Sequence, residues 1–177
     1  EESEESTPPE PCDTPPEGRF DTKDEQLRLQ IHCSFAAALS NFEGEVRDLL
    51  KLFHQTNLLT SHLFAFTSSH GYPLGEHGTI GSADPLLHDE LTHVPLLIRW
   101  PNRLASRSLA LTQTSDFFDF LASGAPTYSA NHPHLLIRRN DGASALRTPE
   151  WSYLKGAEQE VALYRKPEDI CEVNDLA

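Results

Sequence analysis

The chain has 177 residues, of which 38% are hydrophobic, enough for one domain with its own core and too few for two large domains. Its formal net charge of −13 and its lack of a basic stripe argue against nucleic acid as a partner. No apolar run approaches the ~18 residues of a membrane span. The acidic, polar N-terminus does not fit a signal peptide, and the compartment stays open.

The first 21 residues are predicted to be disordered. Residues 1–19 consist largely of Glu, Pro, Ser and Thr, so apolar burial cannot offset the entropy lost on ordering. Residues 1–25 carry ten acidic and two basic side chains, a net of −8, which leaves −5 of the total −13 for the rest of the chain. This segment is either a solvated linker or an acidic interaction tail.

The cysteines are expected to be free or buried thiols. Cys12, Cys33 and Cys171 are odd in number and far apart, which fits neither a disulfide framework nor a short zinc signature.

A long amphipathic helix is predicted from Thr22 to Asn57. Thr22 or Asp24 can cap its start, with Glu25 completing a capping box after Thr22, and Gly44 favours a bend. Apolar residues recur every three or four positions and form one stripe, which consists of Leu27, Ile31, Phe35, Ala38, Phe42, Val46, Leu49 and Phe53.

Two short apolar runs, His62 to Thr67 and Val94 to Trp100, predict buried strands. We expect the phenylalanines of the first run to lie in the core with those of the helix, namely Phe35, Phe42, Phe53, Phe64 and Phe66. The polar loop between the two runs carries four glycines and three histidines. Loops that leave buried strands are where α/β proteins usually place their chemistry, so we expect the functional site here.

The remaining third of the chain predicts short elements. Residues 108–114 predict a strand or extended segment, and Ser115-Asp116 can cap a short helix that ends at Gly124. Three further runs, separated by turn-rich stretches, predict an antiparallel meander: His134 to Arg138, Trp151 to Lys155 and Val161 to Tyr164.

Three blocks of this sequence resemble the sulfatase family of the alkaline phosphatase superfamily. They are F-T-S-S-H-G at 66–71, L-G-E-H-G at 74–78 and H-V-P-L-L-I-R-W-P at 93–101. The long helix before them and the runs at 146–154 and 163–177 after them follow the family's order, so the resemblance covers residues 22–177.

The resemblance implies an α/β fold class. We expect a partial alkaline-phosphatase/sulfatase-like sheet with flanking helices over residues 22–125, and a small antiparallel C-terminal subdomain over residues 126–177.

The resemblance also implies a calcium site. In the family, the first block reads T-S-D-H-G or T-S-D-N-G, and its Asp and His or Asn bind the calcium ion that holds the sulfate ester. Here His70 stands at the second ligand position and Ser69 at the position of the Asp. Many sulfatases carry a sulfate-contacting lysine twelve residues after the His, where this chain has Ser82. Calcium is therefore expected to be absent or weakly bound, because carboxylate charge is what holds such a hard cation.

Two further histidines belong to the same resemblance. His77 is expected to hydrogen-bond the loop backbone, and His93 to face either the pocket or the core.

The resemblance is to the C-terminal half of a sulfatase. Neither the C-x-P-x-R nucleophile motif nor the paired aspartates of the other half occurs in these residues. The leading hypothesis is a truncated, catalytically degenerate member of the sulfuric ester hydrolase lineage, with a sulfate ester or sulfated sugar as substrate if activity remains. The alternatives are a non-catalytic binding or scaffold module and a half-site that a partner chain completes.

Two other chemistries remain open from the residues themselves. A zinc site has enough candidate ligands by count, although their spacing fits no short signature; they are His70, His77, His88, His93, Asp84, Asp89 and Glu90. A Ser-His-Asp triad would use Ser68 or Ser69 with His70, but no G-x-S-x-G elbow supports it.

Overall fold

The computed structural model describes residues 9–12, 14–19, 21–101, 103–123 and 131–177. They fall into two compact units, the first drawn from Glu1–Asp84 with Val94–Arg103 and the second from Pro85–His93 with Leu104–Ala177. None of the helices in the described residues has the length and apolarity that crossing a membrane requires.

The first unit contains one long helix and two small sheets. The elements are β1 (Gly18–Arg19), α1 (Glu25–Gln55), α2 (Leu58–Ser61), β2 (Phe64–Thr67), β3 (Thr79–Ile80), a 3-10 turn (Gly81–Ala83) and β4 (Leu96–Arg99). Strand β1 pairs antiparallel with β3, and β2 pairs antiparallel with β4, with Phe64 opposite Arg99 and Thr67 opposite Leu96.

The ends of α1 lie where the sequence predicts them. Asp24 is the N-cap, and its carboxylate accepts a hydrogen bond of 3.0 Å from the Leu27 amide, which satisfies one of the free donors of the first turn. Asn57 follows the helix in the left-handed conformation, with φ of 58°. Such a residue stops a right-handed helix, and Asn tolerates the conformation better than most residues.

One face of α1 meets β2 through aromatic pairs. Phe42 contacts Phe66 with ring centroids 6.0 Å apart, and Phe53 contacts Phe64 at 5.8 Å in an edge-to-face arrangement. Both separations are typical of stabilising ring pairs. The predicted stripe is therefore the packing face of the helix.

The burial predicted for that stripe is only partly correct. Ile31 is the one buried residue of α1, whereas Phe35 and Phe42, predicted to lie in the core, are 41% and 45% exposed. The sheet that α1 packs against has two strands in the described part of the chain. A sheet this narrow covers little of a 31-residue helix.

The second unit is built on a four-stranded antiparallel meander. The elements are α3 (Asp89–Thr92), α4 (Thr114–Ser123), β5 (Leu135–Arg138), β6 (Ser144–Arg147), β7 (Trp151–Lys155) and β8 (Val161–Arg165). The strand order is β5-β6-β7-β8, so each strand pairs with the next along the chain. The sequence predicts a meander of three strands, whereas the structure has a fourth, β6, between β5 and β7. The core consists of Leu87, Leu91, Ala143, Ala145, Leu154, Ala162 and Tyr164.

Of the strand or extended segment predicted over residues 108–114, the strand alternative is wrong. Residues 103–113 belong to no strand, and Thr114 begins α4. Leu109 is 86% exposed, so this segment has no buried face to favour pairing in a sheet. The predicted helix end at Gly124 and the predicted domain boundary at residue 125 fall outside the described residues.

The described residues of the segment predicted to be disordered make specific contacts. Gly18–Arg19 forms β1, and the Cys12 amide donates to Ser34 Oγ of α1 at 2.8 Å. These contacts are hydrogen bonds of main-chain groups, which composition does not report. Residues 1–8, 13 and 20 lie outside the described residues.

Candidate functional site

The loop that follows β2 carries the predicted ligand positions. We call residues 68–82 the site loop. Ser68 Oγ donates to the main-chain oxygen of His70 at 2.7 Å, and His70 Nδ1 lies 2.8 Å from the Gly71 oxygen. A carbonyl oxygen only accepts, so Nδ1 carries the proton, and in the neutral ring Nε2 keeps its lone pair. His70 is exposed and can act as a ligand or acceptor through Nε2.

The same contacts argue against a triad that uses Ser68. The Ser68 hydroxyl is directed to a backbone oxygen and not to the imidazole. A nucleophile needs its base within hydrogen-bond reach, and this pair does not meet that requirement.

The rest of the site loop folds back on itself. Gly81 N donates to Pro73 O at 3.0 Å and Gly78 N to Gly75 O at 3.1 Å. Gly78 has φ of 72°, in the left-handed region where a side chain would be strained. These bonds place His77 half-buried at the tip of the loop, and its predicted bond to the loop backbone stays a prediction.

Ser82 lies beside a carboxylate. Its Oγ donates to Glu17 Oε1 at 3.3 Å. Close by, Tyr72 donates from its hydroxyl to the Pro16 oxygen. Burial raises the pKa of the Tyr72 hydroxyl, and the nearby Glu17 and Cys12 raise it further. At the position where the family resemblance expects a cation, this chain therefore has a neutral hydroxyl that donates to a carboxylate.

The donors present do not fit the calcium ion that the family implies. Ser69 is exposed and contributes a hydroxyl where the family pattern has a carboxylate, and its neighbour His70 offers a nitrogen. Calcium prefers several oxygen ligands with negative charge among them. Within the described ranges, no three His, Cys, Asp or Glu side chains come together as a metal site.

The same finding removes support from the zinc alternative. His88 is buried with its Nε2 3.4 Å from the Tyr164 hydroxyl, and Asp89 is paired with Lys166.

His93 caps the C-terminal end of α3, where its amide donates to Asp89 O at 2.8 Å. The His93 side chain is exposed, which excludes the core alternative and leaves the pocket assignment as a prediction.

A buried ionic network in the second unit was missed by sequence reasoning. Lys166 Nζ lies 2.8 Å from Asp89 Oδ2, 3.1 Å from Glu172 Oε1 and 2.9 Å from Ile170 O. Glu172 Oε2 also accepts from the Asp89 amide at 3.0 Å. The side chains of Lys166 and Glu172 are 2% and 0% exposed. The network fixes the segment that carries His88 and His93 to the end of β8.

A second missed pair involves Asp116. The sequence predicts a helix cap at Ser115-Asp116, which is wrong, because α4 begins at Thr114 and both residues lie in its first turn. The Asp116 carboxylate accepts from the Gln113 amide at 2.8 Å, and both of its oxygens lie 3.0 Å from His132 Nε2. Asp116 thus contacts the residue before the helix and a histidine outside it. No local pattern could have indicated His132, because the contact is set by the tertiary fold.

Comparison with known proteins shows which family this chain matches. A family model described as Sulfatase matches residues 5–126. The chain is 39% identical to iduronate 2-sulfatase of Homo sapiens over 80 residues, 45% of this chain. It is 33% identical to iduronate 2-sulfatase of Mus musculus over 81 residues, 46% of this chain. Each match covers 14% of the relative's own length.

Solved structures show the same fold. A structure of BT4656 in complex with its substrate D-glucosamine-2-N,6-O-disulfate matches with a TM-score of 0.70 at 20% identity, over 88% of this chain and 39% of that chain. Ps i-CgsB matches with a TM-score of 0.54 at 20% identity, over 88% of this chain and 40% of that one. The predicted fold class, a partial alkaline-phosphatase/sulfatase-like arrangement, is confirmed. With the family model matching well over half of its residues, the chain belongs to the sulfatase family.

Proposed function

We propose that this chain is a catalytically degenerate member of the sulfatase family, whose residues do not support calcium-dependent hydrolysis of sulfate esters. The observation that carries the proposal is Ser69, which stands where the family's first block has its aspartate. Replacing Asp by Ser removes a full negative charge from the ligand shell. A hydroxyl beside an imidazole is a poor substitute for it.

Ser82 supports the proposal from the sulfate side. A sulfate group is stabilised by a cationic donor, which the family supplies there as lysine. Ser82 offers a neutral donor, and that donor is directed to the Glu17 carboxylate. Both departures weaken the binding of a sulfate ester, which in the family is held by the calcium ion and by the lysine.

We further propose sulfated sugars as the ligand class of this lineage. The named relatives point this way: two are iduronate 2-sulfatases, and one structural neighbour holds a disulfated glucosamine as its substrate. Each match covers a minor part of those proteins, so the ligand class is a proposal for this chain.

Calcium binding by isothermal titration calorimetry tests the proposal. We expect no calcium-dependent heat for the unchanged chain. The variant Ser69→Asp restores the family pattern and is expected to give calcium-dependent heat, because ligand charge sets the affinity of such sites. The variant Ser68→Asp adds the same charge one position away and is the matched control.

Turnover of an aryl sulfate completes the test. We expect no hydrolysis by the unchanged chain at any calcium concentration. Calcium-dependent turnover, or calcium binding by the unchanged chain as tight as by Ser69→Asp, would contradict the proposal.

A further inference from the structure

Residues 16–19, which we call the strap, lie against the site loop. Gly18 is opposite Ile80 and Arg19 is opposite Thr79 in the antiparallel pairing of β1 with β3. The Tyr72 hydroxyl donates to the oxygen of Pro16, at the start of the strap. The strap is therefore held by main-chain pairing along one part and by a side-chain hydrogen bond at one end.

The contact between the strap and the site loop is close at Gly81. A Cβ atom on Gly81 would lie 2.9 Å from Glu17 Cγ and 3.4 Å from Pro16 O. The first distance is below any ordinary carbon–carbon contact. Gly81 also has φ of +70°, so both its backbone conformation and its lack of a side chain suit the strap's position.

The path of the chain before the strap is also fixed. Cys12 N donates to Ser34 Oγ at 2.8 Å, and Gln30 Nε2 donates to Glu10 O at 2.9 Å. Both partners lie on α1. Two attachments to a long helix direct the chain towards the site loop.

The strap places a carboxylate at the position where the family resemblance expects sulfate to be held. Glu17 Oε1 is 3.3 Å from Ser82 Oγ. We propose that the strap blocks ligand access, with the Glu17 carboxylate excluding anionic ligands from the Ser82 side of the site loop. This inference rests on the proposed function, because that is what assigns Ser82 to the sulfate side.

A pair of variants of the full chain separates the strap from the missing lysine. Ser82→Lys supplies the family's cation, but we expect its ammonium group to pair with Glu17 and to leave the affinity for sulfate low. Adding Glu17→Gln, which keeps the size and removes the charge, should raise the affinity about fivefold, the scale of a single exposed charge pair. The measurement is a titration with sodium sulfate, and then with D-glucosamine-2-N,6-O-disulfate, followed by NMR at the Gly78 and Gly81 amides.

A third variant guards against misfolding of the double variant. Tyr72→Phe removes the hydroxyl that holds Pro16 and, in the Ser82→Lys background, should also raise the affinity for sulfate. The proposal would be overturned if Ser82→Lys alone, Ser82→Lys with Glu17→Gln and Ser82→Lys with Tyr72→Phe all had equal affinity for sulfate. No measurable binding by any of the three counts as equal affinity, because Glu17 and the strap would then not control access. These titrations contain no calcium and follow no turnover, so their outcome is separate from the test of the proposed function.

Discussion

The two units bury their apolar side chains to different degrees. In the second unit, Ala145, Ala162 and Leu154 are each no more than 3% exposed and form one core with their neighbours. In the first unit, the fully buried apolar cluster consists of Ile31 and Ile80, with Cys12, Tyr72 and Leu74 packed partly against it. Leu29, Leu39 and Leu52 on α1 are more than half exposed.

This difference shows that a stripe of apolar residues reports a packing face but not how much of the face is covered. The meander has a covered face because Leu87 and Leu91, which lie outside its strands, form one buried cluster with Ala145, Leu154 and Ala162. The helix α1 has 31 residues and meets sheets of two strands in the described part of the chain. We therefore expect stability to be concentrated in the second unit.

The largest expected effect is loss of the buried ammonium group. Lys166→Ala leaves the carboxylates of Glu172 and Asp89 without their cation, and breaking a buried ion pair in this way costs about 3–5 kcal/mol. Urea denaturation followed by circular dichroism measures the free energy of unfolding.

The matched control is the preceding residue. Arg165 pairs with Glu168 at 3.9 Å, with both side chains more than 60% exposed, so Arg165→Ala should cost less than about 0.5 kcal/mol. Equal costs for the two variants would contradict the view that the network anchors the second unit.

The next effect compares leucines of the two units directly. Leu154 is 1% exposed, and Leu154→Ala should cost about 2–5 kcal/mol, because it leaves a cavity in the meander core. Leu39 on α1 is 55% exposed, and Leu39→Ala should cost less than about 1 kcal/mol. Urea denaturation of the two variants checks the contrast, and similar losses would break it.

A smaller effect concerns the cap of α1. Asp24→Ala removes the acceptor of the Leu27 amide and should cost the first unit about 1 kcal/mol, the usual contribution of an N-cap. Asp48→Ala, within the same helix and 75% exposed, is the control and should change stability less than Asp24→Ala does. The helical signal on thermal unfolding gives both values, and a larger loss for Asp48→Ala would count against the cap.

The smallest effect concerns two exposed carboxylates with lowered pKa values. Hydrogen bonds from the Ala177 and Leu163 amides lower the pKa of Asp175, whereas a hydrogen bond from Lys51 lowers the pKa of Asp48. A carboxylate whose pKa is lower in the folded than in the unfolded state stabilises the folded state at any pH above the unfolded pKa. This contribution is lost as the pH falls through the folded pKa.

Salt should separate these two carboxylates. Because salt screens an exposed ion pair, NMR titration in 1 M NaCl should bring the pKa of Asp48 towards its ordinary value and leave that of Asp175 low. Equal salt sensitivity would show that charge, and not main-chain hydrogen bonding, acts at both.

The elements with a strong local pattern were predictable from the sequence. The amino-acid sequence of α1 shows both the spacing of its apolar residues and its capping residue Asp24, and β7 and β8 have runs rich in apolar residues. Strand β6 was not predicted, because Ser144 and Ala145 give no β-branched signal. It is a strand because β5 and β7 pair with it on both sides.

The candidate site was predictable only where its residues are close in sequence. The family blocks located His70, Ser69 and Ser82, since each lies at a fixed spacing in one loop. The bond between Ser82 and Glu17 joins residues 65 apart, and that between Lys166 and Asp89 joins residues 77 apart. Contacts over such separations depend on the tertiary fold, which a single sequence considered by itself does not report.

The nearest-neighbour order of the meander has a kinetic consequence. Each of its three pairings closes a short turn, at residues 139–143, 148–150 and 156–160, so little chain entropy is lost before a ladder begins to form. Hairpins with such local connections assemble within microseconds to milliseconds, faster than pairings between distant segments. Strands β2 and β4 are joined through residues 68–95, so their pairing closes a much longer loop and loses more chain entropy before it begins. The meander should therefore form early, on a timescale set by its turns.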